Sequence, residues 1–360
     1  MSFGISVYPG LDNTPEENID LIRRAAQQGV SRLFTSLHIP ENDRSRFSAE
    51  LRDLIDVARK LQLDVIADVT PESAAILGLT SCTLKAFQNI GIQTFRLDDG
   101  FDVSAIASFT RNAANIRIQL NASTVSEEFL AELSNKNADF SCIDALHNFY
   151  PRQNTGLSVR AFSERTALLH RFGIRTGAFV ATQNGRKRSP LYDGLPTLEL
   201  HRGFSVDLAA RHLAALGIDD IFLSDALPTE AELTAFTKTT LDCVTLHAVP
   251  AIESETLSLL AEPFTSRPDE ARDAVRTVES RARSKQLTLP LVPENTCQRP
   301  FGSVTLDNID YLRYAGELQI TKRNLPADPR VNVLAHIHEE ELFLLSCIHP
   351  GSKFRILLDH

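Results

Sequence analysis

The spacing of its short apolar runs constrains this chain more than any other feature of the sequence. Eight runs, FGISVY (3–8), RLFTSL (32–37), DVIADV (64–69), TFRLDD (94–99), RIQLNAS (117–123), DFSCIDAL (139–146), RTGAFVA (175–181) and DDIFLSD (219–225), are each separated from the next by a helical pattern. Repeated βα units of this kind build a parallel sheet covered by helices. Thr14, Pro15 and Glu17 read as an N-cap, a proline in the first turn and the acid of a capping box, and Gly29 reads as a helix stop. Eight units fit a (β/α)8 barrel better than an open doubly wound sheet, and no GxGxxG follows any of the runs.

The texture changes after residue 250. Residues 261–285 are charged and rich in arginine, and beyond them GSVTLDN, GELQITKRNL, RVNVLAHI, EELFLLSCI and KFRILL are short segments divided by turn residues. That pattern predicts antiparallel β structure. The expected organisation is a barrel over 1–250, a connection over 251–284 and a small all-β domain over 285–360.

Bulk chemistry narrows the function. The net charge of −9 supplies no positive field to draw in nucleic acid or an anionic membrane. Cys82, Cys142, Cys243, Cys297 and Cys347 are odd in number and form no CxxC pair, which suits a reducing compartment and core thiols rather than a disulfide frame. The first residues carry no basic leader, and no run is long and apolar enough to span a bilayer, so the expectation is a soluble cytoplasmic protein.

In a barrel of this type the chemistry sits at the C-terminal ends of the strands. Asp68, Arg96 with Asp98, Asn121 with Ser123, and His147 with Asn148 all fall at such ends, and Arg96 and Asp98 share a strand face. Two carboxylates facing one pocket are what glycoside hydrolysis needs, so Asp68 and Asp98 are the candidate catalytic pair, with Asp99, Asp225 and Glu41 as rivals. The other reading is that Asp98 pairs with Arg96 and Asp68 caps a loop. The loop 182–203 carries Arg186, Lys187, Arg188, His201 and Arg202, any of which could serve an anion, as could Arg152 in the 144–157 loop. Tyr150 could stack on a ring. HIH at 336–338 has metal-ligand spacing but no evident third ligand, and none of the eight lysines ends a strand, so neither a metal nor a pyridoxal cofactor is expected.

Together these stretches resemble a known family. GISVYPG, RLFTSLHIPEND, FRLDDGF, LNAS, HNFYPRQNTGLS and DGLPTLELHRG, followed by PENT, VTLDNIDYLRYAGELQI and VNVLAHI, run in the order found in the 6-phospho-N-acetylmuramidases. The resemblance implies a (β/α)8 barrel with a C-terminal cyclophilin-like β domain. It also implies an intracellular glycosidase of cell-wall recycling that cleaves the β-1,4 bond of 6-phosphorylated N-acetylmuramic acid–N-acetylglucosamine. It places Asp68, Arg96, Asp98, Asn121, His147, Asn148, Tyr150, Thr155, Gly156, Glu199, His201 and Arg202 in the family's motifs. Where relatives carry Glu after YP this chain has Gly10, so no essential acid is expected there. Asn295, Asp307 or Arg299 of the second domain could complete the site; the other reading is that Asp307 and Asn308 simply form a turn. The partner implied is a phosphorylated amino-sugar disaccharide, with at most a second copy of the chain besides. The alternatives are a non-catalytic phosphosugar-binding protein and a barrel hydrolase acting on another phosphosugar.

Overall fold

The computed structural model describes residues 1–37, 44–70, 84–97, 100–112 and 116–359. Eight parallel strands close on themselves: β1 (Ser2–Ser6), β2 (Arg32–Ser36), β3 (Asp64–Val69), β4 (Thr94–Leu97), β5 (Arg117–Asn121), β6 (Ile143–Leu146), β7 (Arg175–Val180) and β8 (Asp220–Leu223). β8 pairs with β1, which completes the (β/α)8 barrel. The helices between them are α1 (Pro15–Gln27), α2 (Arg44–Lys60), α3 (Leu84–Asn89), α4 (Val103–Thr110), α5 (Glu127–Asn135), α6 (Val159–Arg171), α7 (Val206–Ala215) and α8 (Glu230–Thr237). Helix α1 starts as its sequence requires, with a complete capping box between Thr14 and Glu17, and the chain leaves it through Gly29 at φ +89°, a conformation that a Cβ would strain.

Alternation along the strands sends one set of side chains inward. In the middle layer Phe34, Ile66, Leu146 and Phe222 pack together, and Gly4 is glycine because a Cβ there would lie 2.2 Å from the Phe222 ring. The layer below is ionic. Arg32, 8% exposed, donates to Asp64 at 3.0 Å, to Asp220 at 2.8 Å and to Asp144 at 2.8 Å. Ser2, Thr94, Gln119 and Arg175 take up the remaining aspartate oxygens. Burial works against the Arg32 cation, but Asp144, Asp64 and Asp220 outweigh it and leave its pKa raised.

The second compact unit comprises Ala214–Leu216 and Thr240–His360, and the barrel unit the rest. Its seven strands are β9 (Val244–Pro250), β10 (Phe264–Thr265), β11 (Ala274–Arg276), β12 (Ser303–Asp307), β13 (Leu318–Thr321), β14 (Val331–Ile337) and β15 (Lys353–Leu358), in the order β10-β15-β9-β14-β12-β13-β11. Three details differ from the sequence reading. The sheet is mixed, because β9 and β15 run parallel. It begins at β9, before residue 250, and the supposed connection over 251–284 contains β10 and β11; the apolar alternation of β9 does not reveal that its partners lie far along the chain. EELFLLSCI, read as a strand, forms 3-10 turns over Glu339–Cys347, with Glu341, Leu344, Leu345 and Cys347 buried, a spacing of three and four residues that one side of a helical turn presents. Of the four described thiols only Cys347 is buried, and all four are free. No helix among the described residues is long and apolar enough to cross a membrane.

Removing the central guanidinium would leave buried Asp144 without its ion pair and take one from Asp64 and from Asp220, which keeps Arg175. Arg32→Met should lower the unfolding free energy by about 3–5 kcal/mol in urea denaturation. A loss below about 1 kcal/mol would mean that the network is not holding the barrel end.

Candidate active site

At the opposite, C-terminal end of the barrel the inward layer becomes polar. The end of β3 supplies Asp68 and β4 supplies Arg96, adjacent in the sheet register. Arg96 is 4% exposed and donates to Asp68 at 2.7 Å, and a second arm reaches the Asn148 side-chain oxygen. One guanidinium thus joins three strand ends, and its charge is matched in place by the Asp68 carboxylate. Asn121, at the end of β5, accepts the Ser123 N–H at 3.1 Å, and Ser123 Oγ in turn accepts the Asn148 N–H at 2.9 Å.

The 144–157 loop divides its side chains by direction. Asn148 faces Arg96, while Phe149 enters the aromatic layer above the barrel core, edge-on to Phe179 at 5.2 Å and to Phe34 at 6.2 Å. His147 turns the other way. It is fully buried, stacks on Phe162 of α6 at 4.5 Å, and hydrogen bonds with Thr166 at 3.1 Å and Ser123 at 3.3 Å. Burial lowers its pKa to about 3. The expectation that His147 faces the mouth is therefore corrected: alternation at the strand end sends it into the helix layer, where it steadies the Ser123 hydroxyl that holds Asn148.

The arginines of the neighbouring loops fall into two groups. Arg202 is saturated: it forms a double ion pair with Glu199 at 2.7 and 2.8 Å, and it donates to the carbonyls of Asp193, Gly194, Tyr150 and Arg152. Glu199 also accepts the N–H groups of Asn154 and Gly156, so the pair ties the 144–157 loop to the loop after β7. The hydrogen bonds from Arg202 hold the Glu199 carboxyl down at about 2. Gly156 must be glycine, since a Cβ would lie 2.7 Å from Glu199. Arg202, expected to meet an anion, has no donor left to offer one. Arg186 is similarly occupied with Glu17, Asn13 and the Asp12 carbonyl.

Arg188 and Arg152 form the other group. Arg188 is half-buried, with its guanidinium 5.0 Å from the Tyr8 ring centre and 5.0 Å from that of Phe149. It makes no ion pair among the described residues. Its backbone is fixed, because its N–H donates to Asp225 at 3.2 Å and the start of the loop is held through Thr182 N–H on the same carboxylate and through Glu232. Burial pushes the Asp225 carboxyl up to about 6, yet both of its oxygens receive backbone N–H groups, which makes it an anchor for the loop. Tyr8, donating to the Ser224 carbonyl at 2.7 Å, is raised by burial to about 12 and stays a neutral ring under the cation. Arg152 is exposed and Tyr150 half-buried, its N–H on the Pro196 carbonyl.

Models of two domains cover nearly the whole chain, 6-phospho-N-acetylmuramidase N-terminal over residues 3–238 and 6-phospho-N-acetylmuramidase C-terminal over residues 243–357. The chain belongs to the 6-phospho-N-acetylmuramidase family. It is accordingly a glycosidase. Two solved structures share its fold over almost the full length. An uncharacterized protein from B. cereus is 31% identical with a TM-score of 0.87, over 99% of each chain. A conserved protein of unknown function from Enterococcus faecalis is 32% identical with a TM-score of 0.72, over 100% of this chain and 97% of that one. No curated protein matches.

For this member of the 6-phospho-N-acetylmuramidases, the structure brings Asp68, Arg96, Asn121 and Asn148 together at the strand ends and sets the Arg188 guanidinium against the Tyr8 and Phe149 rings. Asp98, His38 and Glu41 lie outside the described residues. His201 does not reach the mouth: it is fully buried, 2.9 Å from His212, and burial together with that neighbour holds it neutral. Its place in a 3-10 turn over Glu199–Gly203 turns it into the core, which the sequence did not show. The sequence reading also missed the aromatic cradle of Tyr8 and Phe149 around Arg188, since it considered the arginines without their neighbours. Among the described residues no group of three or more His, Cys, Asp or Glu could hold a metal ion; His336 and His338 pair with Ser303 and Asp359.

Burial leaves His147 at about 3, His212 at about 4 and His201 well below 6.5. Once unfolded, all three regain ordinary values, so below pH 6.5 the unfolded chain binds more protons and stability falls as pH falls. Asp225, raised by burial to about 6, and Asp307, raised by burial to about 7, act with the opposite sign, as does buried Asp144, so these contributions offset one another and the histidines have to be followed one at a time. In an NMR titration of the folded protein the ring resonances of His147, His201 and His212 should not shift between pH 7 and pH 5. A ring that titrates with an ordinary midpoint near 6.5 would contradict neutral burial.

Proposed function

We propose that this glycosidase cleaves the β-1,4 bond of a 6-phosphorylated N-acetylmuramic acid–N-acetylglucosamine disaccharide in the barrel mouth, by carboxylate acid/base catalysis. The observation that carries the reading is the presence, at one end of the barrel, of a fixed Asp68–Arg96–Asn148 group and a cradled guanidinium, Arg188, that has no carboxylate partner among the described residues. The family supports the phosphorylated sugar as substrate class.

The chemistry divides among these groups. Asp68, in an ion pair with Arg96 at 2.7 Å, suits the role of nucleophile or base, or of counter-charge to the oxocarbenium-like transition state. Asp98, two residues beyond Arg96 in the sequence, is the proposed proton donor. Asn121 and Asn148 offer amide groups to sugar hydroxyls, Tyr150 a ring face, and Arg152 an exposed cation for the lactyl carboxylate. Arg188 receives the 6-phosphate: its planar fork matches phosphate oxygens, and the two rings hold it ready without neutralising it. His147, His201 and Arg202 act by positioning.

Two experiments test this. Purified protein incubated with the phosphorylated disaccharide should release N-acetylglucosamine, and kcat/KM on the unphosphorylated disaccharide should be lower by roughly two orders of magnitude. Arg188→Met should remove most of that discrimination, whereas Arg202→Lys should depress both substrates alike. Equal kcat/KM on the two substrates would overturn the phosphate assignment. Separately, Asp68→Asn should reduce kcat by roughly 10²–10⁴-fold with the fold intact by circular dichroism, and a kcat near wild type would remove Asp68 from the chemistry.

A further inference from the structure

Over much of the second unit a charged side chain has an opposite neighbour, as in Arg267–Asp269, Arg272–Asp273, Lys322–Glu270 and Arg330–Asp328. Around the segment 284–294 this pairing stops. Glu253, Glu255 and Glu294 line a cleft of about 490 Å³ on one flank of the segment. Arg281 and Arg313 gather on the other flank, where Arg281 donates to the Arg313 carbonyl and both guanidinium groups lie over the Tyr314 ring, at 5.9 and 4.8 Å. None of these five side chains forms an ion pair among the described residues. Lys285 and Asp310, close by in the chain, leave the second flank with a net positive charge.

Between the flanks the surface is apolar. The segment 284–294 runs beside 309–316, since a Cβ on Gly316 would collide with Ser284 and the Ile309 N–H donates to the Leu291 carbonyl at 2.8 Å. On its other side Thr288 donates to Glu255 at 2.7 Å. Three strips therefore lie side by side: acidic 253–256, apolar 287–293, and 309–314, which carries the arginine edge. Leu289, Val292, Ile309, Leu312 and Tyr314 are all exposed along the last two. Leu312 is 81% exposed and sits at φ +56°, in the left-handed region that a branched side chain avoids. The backbone is thus strained where it holds a large apolar side chain out in water. A contiguous apolar strip rimmed by charge marks an interaction surface.

We propose that this face of the second unit binds a second copy of the chain, about a two-fold axis that runs along the apolar strip. Rotation about such an axis sets each copy's acidic flank against the other's basic flank, while the two apolar strips close on each other. Glu253, Glu255 and Glu294 then receive the second copy's Arg313 and Arg281 at the cleft. The charges select this occupant. A face that is acidic along one edge and basic along the other is complementary to itself, whereas a partner of uniform charge would be repelled along one of the two edges.

Sedimentation velocity of the full chain tests this. Wild type should sediment at twice the chain mass of 39.9 kDa, and Leu312→Asp should weaken self-association at least about tenfold. Glu294→Arg and Arg313→Glu should each be monomeric alone, because each sets like charges face to face. Mixing those two variants should restore dimers, since both charge contacts of the mixed pair again join opposite signs. Circular dichroism checks that each variant is folded; should Leu312→Asp not fold, the charge-reversal pair decides. A monomeric wild type would overturn the proposal and leave the face to a different protein. A dimer that survives all three substitutions, or reversal variants that stay apart when mixed, would overturn it as well.

Discussion

The guanidinium of Arg32 is the constraint on which the barrel depends. It lies at the N-terminal end of the strands and is bonded to aspartates from β3, β6 and β8, so a single side chain spans the closed sheet. Each of those carboxylates would be costly if buried alone, and so would the cation. Their mutual satisfaction fixes which strand ends meet and therefore the stagger at which the barrel closes. With one end sealed by charge and the middle filled by Phe34, Ile66, Leu146 and Phe222, polar groups with chemical freedom are confined to the other end.

At that end the same residue type does two kinds of work, and hydrogen-bond accounting separates them. Arg202 and Arg186 have their donors filled by Glu199, Glu17 and backbone carbonyls, so they are braces between loops. Arg188 is held by its backbone and by two aromatic faces, an arrangement that orients a cation without an ion pair among the described residues. Asp225 and Glu232 do for the loop after β7 what Glu199 does for the 144–157 loop: each gathers backbone N–H groups onto one carboxylate. These loops are held by carboxylates that collect backbone N–H groups rather than by regular structure.

Much of this was legible in the sequence because it follows from periodicity and local chemistry. The eight apolar runs specified the barrel strands, and Thr14 with Glu17 specified the start of α1. Asp68, Arg96 and Asn148 were readable as mouth residues because strand ends and alternation are local properties. What sequence did not reveal was partnership. Arg188 and Arg202 look alike in a chain, and only the fold shows that one faces Glu199 and the other two rings. His147 and Asn148 are neighbours in sequence, yet they point into different layers. The start of the second sheet at β9 depended on partners about a hundred residues away.

The central claim, that the C-terminal end of the barrel receives a phosphorylated muramic sugar, is most directly tested by a crystal structure of Asp68→Asn soaked with N-acetylmuramic acid 6-phosphate. The expected density places the phosphate against the terminal nitrogens of Arg188 and the anomeric carbon beside residue 68. A phosphate bound away from Arg188, with the sugar outside the barrel mouth, would contradict it.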